Sequence, residues 1–356
     1  MTLPTRPSLD SIALMRQWLL LLVLAVIAGQ VLRLIGMPAA DFLGSMLVAI
    51  GLGVRGARIR VPALAFKLGQ GCIGLLVAHS LNTETLASIA HDWPVMLLAT
   101  AITVLISLLV ALFLVRYGDL PGSDAAWGLS PGAASAMVAL AEDHGADSRV
   151  VATMQYVRVV CVVLIGAVVS HALGSEVTSP QIPTGTAPLG FTVPANGILT
   201  ILVLTGSVLI GARFPAGALL VPLLAGSAMQ LGGVFIIDLP QWLLCLAYGA
   251  LGCYVGLRFD RETFDFVVRR LPSMLLSALA LIALCALSAL FIANLLSKDF
   301  LSVYLATSPG GLDSMAIIAL DTQADVGLVL AMQTMRLFGV VLIGPYLARQ
   351  IIRLSR

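Results

Sequence analysis

The sequence predicts an all-α integral membrane protein made of two inverted-topology repeats, each with five transmembrane helices and one re-entrant, broken helix. Three observations carry this. Hydrophobic residues make up 59% of the chain and charged residues 11%, too few polar side chains to clothe a water-soluble surface of this size. Apolar runs long enough to cross a bilayer, about 20 residues each, recur from end to end. Residues 130–166, "SPGAASAMVALAEDHGADSRVVATMQYVRVVCVVLIG", align without a gap to residues 308–344, "SPGGLDSMAIIALDTQADVGLVLAMQTMRLFGVVLIG", and 17 of 37 positions are identical, which marks an internal duplication.

The apolar segments run 17–35, 38–54, 63–80, 93–115, 126–142 and 149–173, with counterparts about 178 residues later, twelve in all. In this register "MPAADFLGSML" meets "FPAGALLVPLL" with one residue of slippage, Glu84 meets Glu262 and Pro94 meets Pro272. The chain divides into a first repeat, residues 1–173, a linker, 174–197, and a second repeat, 198–356. Proline, threonine and glycine in the linker suit an exposed, extended segment. The first apolar run, Trp18 to Ile35, lacks a small-residue cleavage site and is expected to stay in the protein.

Six crossings per half would make the halves parallel, and five crossings with one re-entrant segment would invert the second. Basic residues decide, because they gather on the cytoplasmic side. With the N-terminus cytoplasmic, six crossings leave Arg33, Arg149, Arg213, Arg258, Arg261, Arg269 and Arg270 outside. Five crossings leave only Arg33 and Lys298 there, which favours inversion, cytoplasmic termini and a periplasmic linker. The expected location is the bacterial inner membrane.

The re-entrant segment is expected to begin at "SPG". Serine is a favoured N-cap and proline suits the first helical position, so helices are predicted over Pro131 to Glu142 and Pro309 to Leu320. Twelve residues span about 18 Å, roughly half a bilayer. Two helix starts, Ser130, Pro131 and Gly132 in one half and Ser308, Pro309, Gly310 and Gly311 in the other, would then meet near mid-depth, where free N–H groups and the helix dipole favour an anion. The competing reading is that Ser-Pro-Gly caps an ordinary helix at the interface.

Arg158 and Arg336 each follow a glutamine, Gln155 and Gln333, by three residues, so each pair shares a helix face. An arginine at mid-membrane costs roughly 2.5–3.5 kcal/mol and needs a partner inside the protein. Two readings stay open. The guanidinium groups pair an acidic solute, or they bond carbonyls at the broken-helix tips or Asp313. Asp313, in the first turn of the second half-helix, either takes a coupling proton or cation or neutralises Arg336. Asp143, Asp147, Asp321 and Asp325 are expected in solvated turns. Lys67 is expected to snorkel. Gly69, Gly71, Gly74, Gly249, Gly252 and Gly256 are expected to let helices pack closely.

Several classes are disfavoured. The five cysteines lie in apolar runs without CxxC spacing, and His79, His91, His144 and His171 make no HxH, HxxxH or HExxH motif, so neither a metal nor a cofactor is expected. No nucleotide-binding or nucleophile-elbow motif stands in a suitable context. No basic patch suits nucleic acid.

The doubled segments, above all "TSPGGLDSM" and "QTMRLFGVVLIGP", resemble the Gram-negative membrane family called AbrB, which is built from two copies of one hydrophobic domain and is unrelated to the small DNA-binding regulator of the same name. Members look like PGG followed by an acidic residue and methionine. Here Asp313 stands one place away from that position, and the first copy has Ala136 and no acid. The resemblance implies an inner-membrane protein labelled a regulator of gene expression, and also an ammonia monooxygenase, a label the histidine pattern does not support. The layout looks like that of cation-antiporter and anion-transporter families, with interrupted helices at the midplane. The expectation is a non-enzymatic secondary transporter in the lipid bilayer, moving a small anionic solute past Gln155, Arg158, Gln333 and Arg336, with a proton or cation as coupling partner. A homodimer suits this build. The alternative is a membrane sensor that regulates gene expression indirectly.

Overall fold

The computed structural model describes residues 14–81, 83–117, 122–129, 137, 141, 146–173, 195–213, 216–233, 237–259, 271–322 and 324–354. Among the described residues the chain forms thirteen α-helices and no strand. The first half gives α1 (Leu14–Leu34), α2 (Ala40–Val54), α3 (Ala63–Ser80), α4 (Thr83–Tyr117), α5 (Gly122–Leu129) and α6 (Ser148–Ala172). The second gives α7 (Ala195–Gly211), α8 (Gly217–Leu231), α9 (Gln241–Gly256), α10 (Leu271–Leu296), α11 (Phe300–Thr307), α12 (Leu312–Asp321) and α13 (Val326–Leu354). Residues 174–194 of the linker lie outside the described residues.

Segments within Leu14–Leu34, Ala87–Leu114, Ser148–Ala172 and Leu271–Leu296 are long and apolar enough to cross a membrane. Their outer faces suit lipid. Leu19, Val26, Leu109, Phe113, Leu276 and Phe291 are all exposed, and so broad an apolar surface is foreign to a soluble monomer. The fourth segment starts at Thr83 rather than near residue 93 and carries Pro94 inside the helix. Within it, Thr100, Thr103 and Ser107 return their hydroxyls to the carbonyls four residues back, which satisfies them without water.

Helix boundaries recur. Helices α3, α5 and α6 begin at 63, 122 and 148, and α9, α11 and α13 begin 178 residues later, at 241, 300 and 326. The residues before α2 and α8, Ala39 and Ala216, both take left-handed φ, 56° and 55°. Small residues set the directions of the packed helices. Gly252 meets Phe42 and Ser45 while Gly256 meets Met46 and Ala49, so α2 and α9 run parallel. Gly74 meets Leu219 and Gly226 meets Leu75 and Ala78, so α3 and α8 also run parallel. Phe66 stacks on Tyr254 at 3.8 Å and Gly69 meets Leu251 and Ala247, so α3 and α9, which begin 178 residues apart, are antiparallel. Gly249 departs from the expected pattern, since nothing lies within 4 Å of a Cβ built there.

Two bundles result. One holds α1–α3 and α7–α9, the other α4–α6 and α10–α13, and α3 touches α12 and α13 across the boundary. Polar contacts at the surface add little. Lys298 pairs with Asp325 at 2.9 Å with both side chains more than a quarter exposed, so Lys298→Met is expected to change stability by less than about 1 kcal/mol. Asp325 also caps α13 through the Leu328 N–H, so Asp325→Ala is expected to cost more, about 1 kcal/mol for the cap alone. Thermal melts of the two variants in detergent check the order.

Candidate functional site

The break between α11 and α12 is written in the sequence. Proline pushes the residue before it out of the α region, and Ser308 accordingly leaves the helix at φ −57°, ψ 136°. Ser308 is therefore the C-cap of α11, not the expected N-cap. Helix α12 starts only at Leu312, with Gly311 as N-cap, and runs ten residues rather than the expected twelve. Gly310 sits close against its neighbours, since a Cβ there would lie 2.9–3.0 Å from the side chains of Met315 and Val162, which would have to shift.

A helix that stops in the interior leaves carbonyls without donors, and α13 supplies them. The Gln333 side-chain amide donates to the carbonyls of Leu305, Ala306 and Ser308 at 2.9, 3.2 and 3.1 Å. Arg336 donates from Nη1 to Ser308 at 2.6 Å, and from Nη2 to Gly310 at 2.9 Å and to Gln333 Oε1 at 2.5 Å. The first half does the same. Gln155 donates to the Trp127 carbonyl at 2.9 Å, and Arg158 to the Leu129 carbonyl at 3.5 Å and to Gln155 Oε1 at 2.6 Å. The two readings are not exclusive: these side chains bond carbonyls at the ends of α5 and α11, and Arg158, Gln333 and Arg336 also line a cavity. Ser130, Pro131 and Gly132 lie outside the described residues.

Beside this break, between the bundles, lies a cavity of about 390 Å³. The second bundle contributes Tyr156, Arg158, Asp313, Gln333 and Arg336, and the first contributes Phe66, Lys67, Gln70 and Tyr254. Both arginines are nearly covered, at 2% and 5% exposure, so they act on the cavity mainly through charge. Asp313 does not pair with Arg336. It receives the Gln70 amide at 3.1 and 2.9 Å, a contact from bundle to bundle. Lys67 is half-buried, with Nζ 3.5 Å from the Ala212 carbonyl. The cations Lys67, Arg158 and Arg336 outnumber the one carboxylate, Asp313, among the lining groups. A second cavity of about 490 Å³ shares Tyr156 and Tyr254 with the first and is lined by Arg60, Arg149 and Arg258. The Arg258 guanidinium lies over both tyrosine rings, 5.6 and 4.6 Å from their centroids.

Sequence reasoning missed Gln70, Tyr156 and Tyr254. Lys67 and Gln70, three residues apart on an apolar helix, were a usable sign; the tyrosines carried none. The expectation of solvated turns fails at Asp321, which is buried at 9% exposure and accepts the Ala39 N–H at 2.8 Å, because the first bundle covers the end of α12. Asp147 and Asp325 cap α6 and α13, and Asp143 lies outside the described residues. Among the described residues no three His, Cys, Asp or Glu side chains come together as metal ligands would.

A family model described as "Transition state regulatory protein AbrB" matches residues 42–352. The chain belongs to the AbrB family. This AbrB-family chain is similar to the protein named "Putative regulator AbrB" of Escherichia coli (strain K12), with 42% identity over 336 residues, 94% of this chain and 96% of that one. It is also similar to "Uncharacterized protein YhjN" of Bacillus subtilis (strain 168), with 26% identity over 344 residues, 89% of this chain and 88% of that one. No solved structure matches.

Proposed function

We propose that this AbrB-family protein is a secondary transporter of the bacterial inner membrane, with both termini cytoplasmic, which carries a small anionic solute by alternating access. The observation that carries the reading is the cavity between two helix bundles, with a helix interrupted at its wall. Irregular backbone at membrane depth is tolerated where protein covers it or it lines a cavity, and transporters place substrate at such breaks. The antiparallel run of α3 and α9, at a constant offset, supports an internal duplication with inverted halves.

The excess of cations at the cavity, together with the start of α12, favours a carboxylate- or phosphate-sized anion. Asp313 faces the same space and is the group we assign to a coupling proton or cation. The cavity adjoins the arginine-lined one at the face that carries Arg60, Arg149 and Arg258, which the distribution of basic residues makes cytoplasmic. The conformation is accordingly inward-open. Monooxygenase chemistry forms no part of this reading.

Proteoliposome uptake over a panel of labelled mono- and dicarboxylates tests it. Wild-type protein is expected to take up at least one of them. Gln70→Ala, which removes a hydrogen bond to a charged group worth about 1.5–3 kcal/mol, and Asp313→Asn, which keeps an acceptor for Gln70 but removes the charge that takes the coupling proton or cation, are each expected to lower that uptake roughly tenfold or more. Well-folded protein that moves no member of the panel sinks the reading.

The name of the E. coli relative favours a second reading, a membrane regulator that acts through a solute or a partner. Transcript profiles of a deletion strain, with and without the solute restored inside the cell, separate the two. Changes that persist after restoration favour the regulator.

A further inference from the structure

This inference rests on the alternating-access reading and concerns how the face away from the arginine-lined cavity is held shut. Helix α12 meets the cavity at Asp313 and ends at Asp321, eight residues on, about 12 Å at 1.5 Å per residue. At that far end the Asp321 carboxyl accepts the Ala39 N–H at 2.8 Å, across 282 residues of sequence and from one bundle to the other. Nearby, His171 at the end of α6 lies 3.0 Å from the Gly36 carbonyl. Both contacts fasten the second bundle to the turn between α1 and α2.

The chemistry around Asp321 is unbalanced. Its second oxygen, Oδ1, is buried without a hydrogen-bond partner, and so is the hydroxyl of Tyr248 on α9, which lies within electrostatic reach. The other charged groups that face it are Asp41 of α2 and Arg33 of α1. Those two pair with each other at 2.5 Å, and Cys245 of α9 directs its thiol to Asp41. No described cation is left for Asp321.

A charged carboxylate held by one N–H in such a place bears a desolvation cost that the single bond offsets only in part. A proton on Oδ1 removes the charge, supplies that oxygen with a donor, and leaves Oδ2 free to accept from Ala39. The Tyr248 oxygen has acceptor capacity to spare. The shut seam therefore holds the proton more firmly than an open, hydrated one, and by linkage acid conditions favour closure.

We infer that Asp321 is a proton-binding site that latches the outer seam of the two bundles against Ala39, closed when protonated and released when charged. The proton comes from the outer aqueous phase and returns to it when the seam reopens, so none crosses the membrane through this site. A single buried carboxyl thereby ties access to the cavity to external acidity.

Spin labels test the latch on the full chain in lipid nanodiscs, with the five native cysteines replaced and new ones at Leu34→Cys and Leu173→Cys. Both positions are exposed, at 86% and 55%, one on each bundle at this face. Pulsed electron resonance is expected to give one short-distance population in acid and a second, longer one in alkali. Asp321→Asn, neutral at every pH and still able to accept from Ala39, is expected to keep the short population throughout, while His171→Asn keeps the wild-type response. An Asp321→Asn protein that still opens in alkali overturns the assignment, as does loss of the response in His171→Asn. A second population that is present but indifferent to pH also overturns the proton site, yet leaves alternating access standing. If no condition opens the seam and no uptake is found, both fall together.

Discussion

Arg336→Ala is expected to destabilise the protein by roughly 2–5 kcal/mol. The arginine makes three hydrogen bonds, to Ser308, Gly310 and Gln333, and bonds to a charged group are worth about 1.5–3 kcal/mol each. Removing a buried arginine also recovers about 2.5–3.5 kcal/mol of its insertion cost, so the loss is large but not the full sum. The Gly310 carbonyl is left without its donor, whereas Ser308 keeps Gln333. Because Gln333 and Arg336 share the Ser308 carbonyl and bond each other, Gln333→Ala and Arg336→Ala should not add. Melting temperatures of the two single variants and the double variant in detergent measure the coupling. An Arg336→Ala protein that melts with wild type would mean that these bonds do not hold the break.

That arginine also marks where sequence reading stopped. The spacing of Gln333 and Arg336 fixed a shared face, and Pro309 fixed a break, but neither told whether the guanidinium looks toward solute or toward its own chain. The answer depends on where α11 ends. A helix that stops at Thr307 leaves carbonyls that a helix beginning at Pro309 would not have had. The all-helical, apolar character of the chain could be read because composition responds to the membrane itself. Contacts such as Gln70 to Asp313, 243 residues apart, and Ala39 to Asp321, 282 apart, could not. A carboxylate after a short helix has the same local pattern whether water or a second bundle covers it, which is why Asp321 was expected to be solvated.

The two kinds of bundle contact divide the labour of the fold. Within the first bundle, α2 and α9 approach at backbone distance, with Gly252 against Phe42 and Ser45 and Gly256 against Met46 and Ala49. Between the bundles, α3 meets α12 and α13 through side chains and the Gln70–Asp313 bond. Apolar burial drives no helix pairing inside a lipid bilayer, so close contact of small residues must supply the attraction. On the proposed transporter reading, the first bundle is expected to move as one body while the polar seams open and close.

Gly252→Val tests that rigidity and carries the other large effect. The added Cβ would overlap the Ser45 hydroxyl and the Phe42 carbonyl and would sit 3.0 Å from the Met46 backbone nitrogen. Two of these three are backbone or tightly placed atoms, so no rotamer change makes room, and α2 and α9 must part along their length. Overpacking costs typically 1–3 kcal/mol, and here the parted helices also lose their neighbouring contacts, which places the expected loss at the top of that range. Gly249→Val, one turn earlier on the same helix and with nothing within 4 Å of its Cβ, is the matched control. It is expected to express and melt close to wild type, while Gly252→Val yields little folded protein in detergent. Equal behaviour of the two variants would show that α2 and α9 are not held at backbone contact, and the division into one rigid and one mobile set of contacts would go with it.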